Sequence, residues 1–207
     1  FDADKHPAYL TMALGAGSVT PWQMVTAYSV FANGGYKIQP FIVSQIRDDK
    51  DQVIAEAQPQ TAGDESLLVI DPRNAYLMDS MLRDVTLYGT AARASATLKR
   101  RDLAGKTGTT NEHVDAWFCG YQRTAVGCSW IGFDQPKNMG GGETGGSAAL
   151  PAWIGYMGKA LKDAPQSFMP VPDGLVAMDV AGSGKGPAKE YFYKENVPMT
   201  LEPEPPQ

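Results

Sequence analysis

The segment from residue 103 to residue 133 constrains the fold of this chain more than any other. It predicts three consecutive strands, near residues 103–109, 115–121 and 125–133, joined by short connections. The second and third flank the short connection at 122–124, which suits hairpin pairing. Trp117 and Tyr121 lie in the second strand, and aromatic residues that alternate along a half-buried strand indicate packing rather than substrate contact.

The first of these strands carries Lys106, Thr107, Gly108 and Thr109. Residues in this order present a cation, an open backbone edge and two hydroxyl donors, which together suit a carboxylate. Gly108 matters because a side chain there would keep a ligand away from the backbone. A phosphate-binding loop is excluded because Arg100 stands where that motif needs its first glycine. Taken alone, the tripeptide Lys-Thr-Gly also fits a plain strand with a polar edge.

Composition narrows the classes of partner and compartment. The chain has 207 residues and a net charge of −5, which argues against a nucleic-acid partner because such proteins need a basic face. No apolar run approaches the roughly 20 residues that span a bilayer, and no signal sequence is visible. Cys119 and Cys128 lie in neighbouring strands, so a disulfide is possible, but we favour two free thiols. With His113 they fit no closed zinc pattern.

Capping residues predict three helices, which begin at Thr20-Pro21, Asp71-Pro72 and Pro151. Glycines end the first helix at 34–35 and the second at 89. A hairpin is predicted from the runs 39–47 and 52–57 about a polar turn. Apolar residues at helical spacing are expected to be buried. In the first helix they are Met24, Val25, Tyr28, Phe31 and Ala32; in the second, Met78, Met81, Leu82 and Val85; in the third, Trp153, Ile154, Met157 and Leu161.

Two stretches are predicted to be irregular. The glycine-rich run 140–146 cannot form a regular element at low cost, and it fits either the border of a cleft or a plain surface connection. From residue 163 onward prolines and glycines accumulate, which predicts an extended or disordered tail with one short strand at 175–180. We therefore expect two parts: a domain at residues 1–162 and a tail at 163–207.

Several blocks in this order resemble a known family. Lys106-Thr-Gly-Thr109, Asp115-Ala-Trp-Phe118 and Trp130-Ile-Gly-Phe-Asp134 follow a matching segment at 13–35. Together they resemble the transpeptidase domain of class A high-molecular-mass penicillin-binding proteins, the bifunctional peptidoglycan synthases. The resemblance runs from about residue 8 to residue 162, and more loosely through Tyr191-Phe-Tyr193. It implies an α+β fold, in which helices cover an antiparallel sheet, and no cofactor or metal.

The chain departs from the family in one respect. The family's nucleophile lies in Ser-x-x-Lys and its second motif is Ser-x-Asn, and this sequence contains neither. Because both motifs precede the block at 13–35 in the family, and because the sequence begins at Phe1, we expect the C-terminal part of a transpeptidase domain. Such a segment alone is expected to be inactive.

The resemblance also implies roles for individual residues. Lys106, Thr107 and Thr109 would hold the substrate carboxylate on the strand that Gly108 keeps open, and Lys106 would favour a deprotonated partner lysine. The backbone N–H of Thr109 would supply one oxyanion-hole donor. The candidate catalytic residues are therefore Lys106 and Thr109, and the candidate substrate-binding residues are Lys106, Thr107, Gly108 and Thr109.

Three functions compete at this point. The first is a peptidoglycan D,D-transpeptidase that acts on D-Ala–D-Ala stem peptides, is inhibited by β-lactams and acts together with the N-terminal part of its own domain. The second is a non-catalytic interaction module of a cell-wall synthesis complex. The third is a β-lactam-binding hydrolase or sensor. The long match to biosynthetic enzymes favours the first, on the periplasmic side of the inner membrane, with any membrane anchor outside this chain.

Overall fold

The structure is a computed structural model that describes residues 4–6, 8–180 and 189–198. Within these ranges the chain combines helices with antiparallel sheets, so the predicted α+β class is confirmed. The helices are α1 (Pro21–Ala32), α2 (Pro72–Leu87), α3 (Ala92–Leu98) and α4 (Leu150–Ala160). The strands are β1 (Gln45–Arg47), β2 (Val53–Glu56), β3 (Ala104–Thr109), β4 (Ala116–Gln122), β5 (Ala125–Ile131), β6 (Leu175–Asp179) and β7 (Lys189–Tyr193).

The three predicted helices are confirmed, and the first two have side-chain caps at their N-termini. Thr20 and Gln23 make a reciprocal capping box at the start of α1, and Asp71 caps α2 by accepting from the Arg73 backbone N–H. The expected burial of Met81 is wrong: its side chain is 52% exposed. The buried face of α2 passes instead through Ala75, Tyr76, Asp79, Leu82 and Thr86. α3 was not predicted.

The central sheet has the order β3-β4-β5, and the three predicted strands are confirmed with shifted ends. Alternation sends successive side chains to opposite faces. One face packs against α4, where Phe118 and Trp153 meet edge to face at 4.8 Å between ring centroids. On the opposite face Ala104 and Tyr121 pack with Ala32 of α1 and Leu82 of α2. The core therefore lies on both sides of β4.

Cys119 and Cys128 form a disulfide between β4 and β5, so the prediction of two free thiols is wrong. The hairpin register places the two residues directly opposite each other, with their Cα atoms 4.1 Å apart. Residues that oppose each other without mutual hydrogen bonds are the closest pairs in an antiparallel ladder. The sequence showed that both residues lie in neighbouring strands, but it did not specify the register that brings them together.

The predicted hairpin before α2 is confirmed, but it is shorter than expected. β1 begins at Gln45 rather than at residue 39, and residues 39–44 belong to no strand. Together β1 and β2 form a separate two-stranded sheet whose side chains are mostly exposed. It therefore adds little to the core.

Beyond residue 163 the described residues contact the rest of the domain and include a two-stranded sheet. The predicted strand near 175–180 is confirmed as β6, and it pairs with β7, which was not predicted. Asp102 is buried and accepts from Arg100 and from the backbone N–H of Ser167, which ties this segment to the start of β3. The proline-rich run 202–207, predicted to be disordered, lies outside the described residues. No helix in the described ranges has the length and apolar character needed to cross a membrane.

Candidate active site strand

The Lys-Thr-Gly-Thr sequence lies on β3, at one edge of the central sheet in the part of the chain that the structure describes. The Lys106 side chain is exposed and bends along the edge. Its Nζ donates to the carbonyl oxygen of Thr107 at 2.8 Å and to Thr107 Oγ1 at 3.3 Å. The cation therefore lies on the side of β3 that faces away from β4, which we call the open edge, and an incoming anion can reach it there.

The backbone N–H of Thr109 points toward this open edge. The N–H of Thr110 donates to the Asp115 carbonyl, on the β4 side, at 3.1 Å. Backbone groups of successive residues alternate between the two sides of an antiparallel strand, so the N–H of Thr109 points away from β4. The Thr107 carbonyl obeys the same alternation, since Lys106 contacts it at the open edge. An N–H with this orientation is available to an oxyanion.

The hydroxyls of Thr107 and Thr109 each have a partner from a distant part of the sequence. Thr107 Oγ1 lies 2.9 Å from Oγ1 of Thr90, a residue in the turn that connects α2 to α3. Thr109 Oγ1 accepts from the backbone N–H of Gly145 at 3.0 Å. Sequence reasoning missed Thr90, for which the turn at Gly89 was the only local signal. The four predicted residues share one strand, and two unpredicted residues contact their hydroxyls.

The glycine-rich run 140–146 ends against β3. A Cβ on Gly145 would lie 2.6 Å from the carbonyl oxygen of Gly108, which shows how closely the two backbones approach. Just before the run, the Met139 N–H donates to the His113 carbonyl oxygen. Within the run, the Glu143 carbonyl oxygen accepts from His113 Nδ1 at 2.9 Å. The structure thus favours the reading in which this loop borders the candidate site.

The connection from β3 to β4 is bent sharply beside this loop. Glu112 and His113 both adopt left-handed backbone conformations, with φ of 60° and 52°. Such angles are uncommon for residues with side chains. Thr110 stabilises the bend, because its Oγ1 accepts from the N–H groups of Val114 and Asp115. The turn fixes where β3 ends, and therefore where Thr109 stands.

The aromatic residues of β4 pack as predicted in one case. Tyr121 is buried, and its hydroxyl donates to Asp79 Oδ1 at 3.1 Å. Burial raises the pKa of the Tyr121 hydroxyl, and the neighbouring Asp79 carboxylate raises it further. Tyr121 therefore serves the core. Trp117 is half-buried beside Gly108 and lies 6.2 Å from Trp130 between ring centroids.

Comparison with known proteins identifies the family. Residues 6–150 match the family model described as the penicillin binding protein transpeptidase domain. The chain is 46% identical to penicillin-binding protein 1A of Neisseria lactamica over 95% of its own length and 23% of that protein. It is 39% identical to penicillin-binding protein 1A of Pseudomonas aeruginosa over all of its length and 31% of that protein. It therefore spans less than a third of either relative.

Solved structures agree with these matches. The crystal structure of penicillin-binding protein 1A from Haemophilus influenzae superposes with a TM-score of 0.84 and 32% identity, over 96% of this chain and 35% of that one. The structure of PonA1 from Mycobacterium tuberculosis, with a TM-score of 0.65 and 22% identity over 97% of this chain and 51% of that one, shares the fold. The chain belongs to the penicillin-binding protein transpeptidase family and carries part of that domain.

Proposed function

We propose that this chain supplies the carboxylate-binding and oxyanion-hole strand of a peptidoglycan D,D-transpeptidase. The observation that carries the proposal is the Lys-Thr-Gly-Thr sequence on the open edge of β3, within a penicillin-binding transpeptidase fold. Because the sequence has no Ser-x-x-Lys, the serine nucleophile must come from a part of the protein outside these residues. The segment then acts as half of a composite active site.

The reaction is an acyl transfer between two stem peptides. The serine Oγ attacks the carbonyl carbon of the D-Ala–D-Ala bond, the oxygen becomes an oxyanion, and the C–N bond breaks to release the terminal D-alanine. An amine of a second stem peptide then attacks the acyl-enzyme and restores the serine. The Thr109 N–H, pointing to the open edge, would stabilise the oxyanion in both steps; removal of one such donor typically lowers kcat about 10²–10³-fold.

The remaining groups of the strand would hold the substrate. The terminal D-alanine carries a carboxylate, and Lys106 with the hydroxyls of Thr107 and Thr109 offers one cation and two donors along a single edge. Gly108 leaves the backbone accessible between them. The Lys106 charge would also raise the fraction of a neighbouring catalytic lysine that is neutral, because like charges disfavour protonation. A neutral lysine can accept the serine proton.

We extend the proposal to the organisation and location of the protein. Residues 1–162 would belong to the transpeptidase domain and residues 163–207 to a C-terminal extension, in which Ala164 and Ser167 contact Arg100 and Asp102 of the domain. As in the class A proteins that the chain resembles, a glycosyltransferase domain and a membrane anchor would complete the protein. The partners would be stem peptides as substrates, β-lactams as inhibitors and other proteins of cell-wall synthesis, on the periplasmic side of the inner membrane.

Labelling with a fluorescent penicillin tests the proposal. The complete protein should form a stoichiometric adduct that survives denaturation, whereas the 207-residue chain alone should form none, because it lacks the nucleophile. Rapid release of hydrolysed penicillin from the complete protein would favour the hydrolase reading. The absence of any adduct with a folded complete protein would favour the non-catalytic module. A stable adduct with the isolated chain would contradict the assignment of the nucleophile to another segment.

A further inference from the structure

Gly145 contacts the candidate active site strand more closely than any residue with a side chain could. A Cβ at this position would lie 2.6 Å from the Gly108 carbonyl oxygen and 2.9 Å from the Gly108 nitrogen, and closer still to the Trp117 carbonyl oxygen. All three atoms belong to the backbones of β3 and β4, which cannot move aside as a flexible side chain could. Gly145 is buried and seated over the junction of the two strands.

The conformation around Gly145 is fixed independently of β3. Thr144 and Ser147 form a reciprocal capping box: the Ser147 N–H donates to Thr144 Oγ1 at 3.1 Å, and the Thr144 N–H donates to Ser147 Oγ at 2.8 Å. Gly145–Ala149 form one turn of π-helix that leads into α4. The first N–H groups of a helix have no partner within the helix. The N–H of Gly145 finds its partner in Thr109 Oγ1, at 3.0 Å.

This hydrogen bond decides how Thr109 can use its hydroxyl. A threonine oxygen accepts through its lone pairs and donates one proton. Because Thr109 Oγ1 accepts from Gly145, its own proton must point elsewhere, and it has no second hydrogen-bond partner among the described residues. The Thr109 side chain is exposed. Its O–H is therefore held as a donor toward an acceptor that approaches from outside.

We propose that Gly145 is a positioning residue for the carboxylate site: its N–H orients the Thr109 hydroxyl as a donor toward the ligand. This inference rests on the proposed transpeptidase function and adds to it a residue of the α4 segment that does not touch the substrate. The role needs the absence of a side chain, because a Cβ at this position would push Gly145 away from β3 and break its hydrogen bond to Thr109 Oγ1. It needs a carboxylate on the ligand, so the loss should depend on the ligand's charge.

The test uses the complete protein and the pair Gly145→Ala and Gly146→Ala. Gly146 is the matched control: the nearest atom to a Cβ there, the Thr90 carbonyl oxygen, is 3.6 Å away, which is an ordinary contact. Second-order acylation rates are measured with benzylpenicillin and with its methyl ester, which lacks the carboxylate charge. We expect Gly145→Ala to lower the rate with the free acid about tenfold or more, and the rate with the ester less than about twofold. Gly146→Ala should change neither.

A double-mutant cycle with Thr109→Val separates positioning through the hydroxyl from general damage. If Gly145 acts through Thr109, the effects of Gly145→Ala and Thr109→Val on the free-acid rate should be strongly non-additive. Full additivity, or equal losses with acid and ester, would overturn the inference while leaving the transpeptidase assignment intact. A wild-type protein that no penicillin acylates would overturn both.

A second measurement covers the case in which Gly145→Ala does not fold. Hydrogen exchange at the Gly145 amide is compared between Thr109→Val, which removes the acceptor, and Thr109→Ser, which keeps it. Thr109→Val should accelerate exchange at Gly145 and lower the free-acid rate, and Thr109→Ser should restore both together. Unchanged exchange in Thr109→Val, or a restored rate without restored protection, would contradict the role of this hydrogen bond.

Discussion

The two faces of the central sheet are built differently. On the face toward α4, Phe118, Trp153 and Met157 are all buried in one apolar cluster. On the other face, α1 and α2 cover the row that contains Ala104 and Tyr121, but farther along the strands Lys106 is exposed and Trp130 is 36% exposed. The face toward α4 is closed by apolar packing, whereas the open edge of β3 leaves polar groups accessible. Substitutions on the two should therefore separate folding from chemistry.

The largest loss of stability is expected on the closed face. Trp153→Ala should lower the free energy of unfolding by about 3–5 kcal/mol, because it removes a buried indole that packs on Phe118 and leaves a cavity. Lys159→Ala, on an exposed position of the same helix, should change it by less than about 0.5 kcal/mol. Denaturant titration of the complete protein checks both. Equal effects would mean that the α4 face is not the stabilising core.

The buried carboxyl of Asp102 should make stability depend on pH. Burial by itself would raise the pKa of this carboxyl, but hydrogen bonds from Arg100, from the Ser167 backbone and from Gln122 outweigh burial and lower it. The folded-state pKa then lies below the unfolded value of about 3.9, so the stabilisation is complete above that pH and is lost as pH falls through the window beneath it.

Asp102→Asn should therefore cost about 3 kcal/mol at neutral pH, because it leaves Arg100 without its charged partner, and less in acid. Thermal unfolding of wild type and variant from neutral pH to about pH 3 measures the convergence. Asp79 offers the opposite sign: burial raises its pKa, so its contribution to stability falls as pH rises above the unfolded value. Parallel curves for Asp102→Asn and wild type would refute the coupling.

The disulfide between β4 and β5 should have an intermediate effect. It closes a loop between residues nine apart, and the pair Cys119→Ala and Cys128→Ala should lower the free energy of unfolding by about 2–3 kcal/mol. The single substitutions should approach the same loss, since either one breaks the bond. If a reducing agent leaves the melting temperature of the wild type unchanged, the disulfide contributes nothing to the folded state.

Local signals predicted much of this fold, and contacts between distant residues account for most of what they missed. Thr20, Asp71 and Pro151 mark helix starts because capping acts within one turn. α3 has no side-chain cap at Ala91, and it is held by burial of Ala94 in the core, so its start carries no local mark. Propensity is a weak guide where tertiary packing decides.

In the candidate site, too, local features were predicted and contacts between distant residues were missed. The strand with Lys106 and Thr109 was predictable because its functional residues are contiguous, and because a cation and hydroxyls side by side indicate a carboxylate ligand. The contact of Gly145 with Thr109 joins positions 36 residues apart, and the pairing of Cys119 with Cys128 depends on register. A shift of one residue would move every side chain to the other face, and nothing local in the hairpin sequence excluded that shift.

The smallest change in stability and the most direct test both belong to the open edge. If Lys106 and Thr109 hold the substrate carboxylate, Lys106→Ala in the complete protein should lower the second-order rate of acylation by benzylpenicillin about tenfold to a hundredfold. Its melting temperature should stay within about 3 °C of the wild type, because the side chain is exposed. Lys106→Arg should rescue only part of the rate, since guanidinium is larger and planar. Thr109→Val should also slow acylation. Unchanged rates in all three variants, with unchanged melting temperatures, would contradict the central claim that this strand binds the carboxylate.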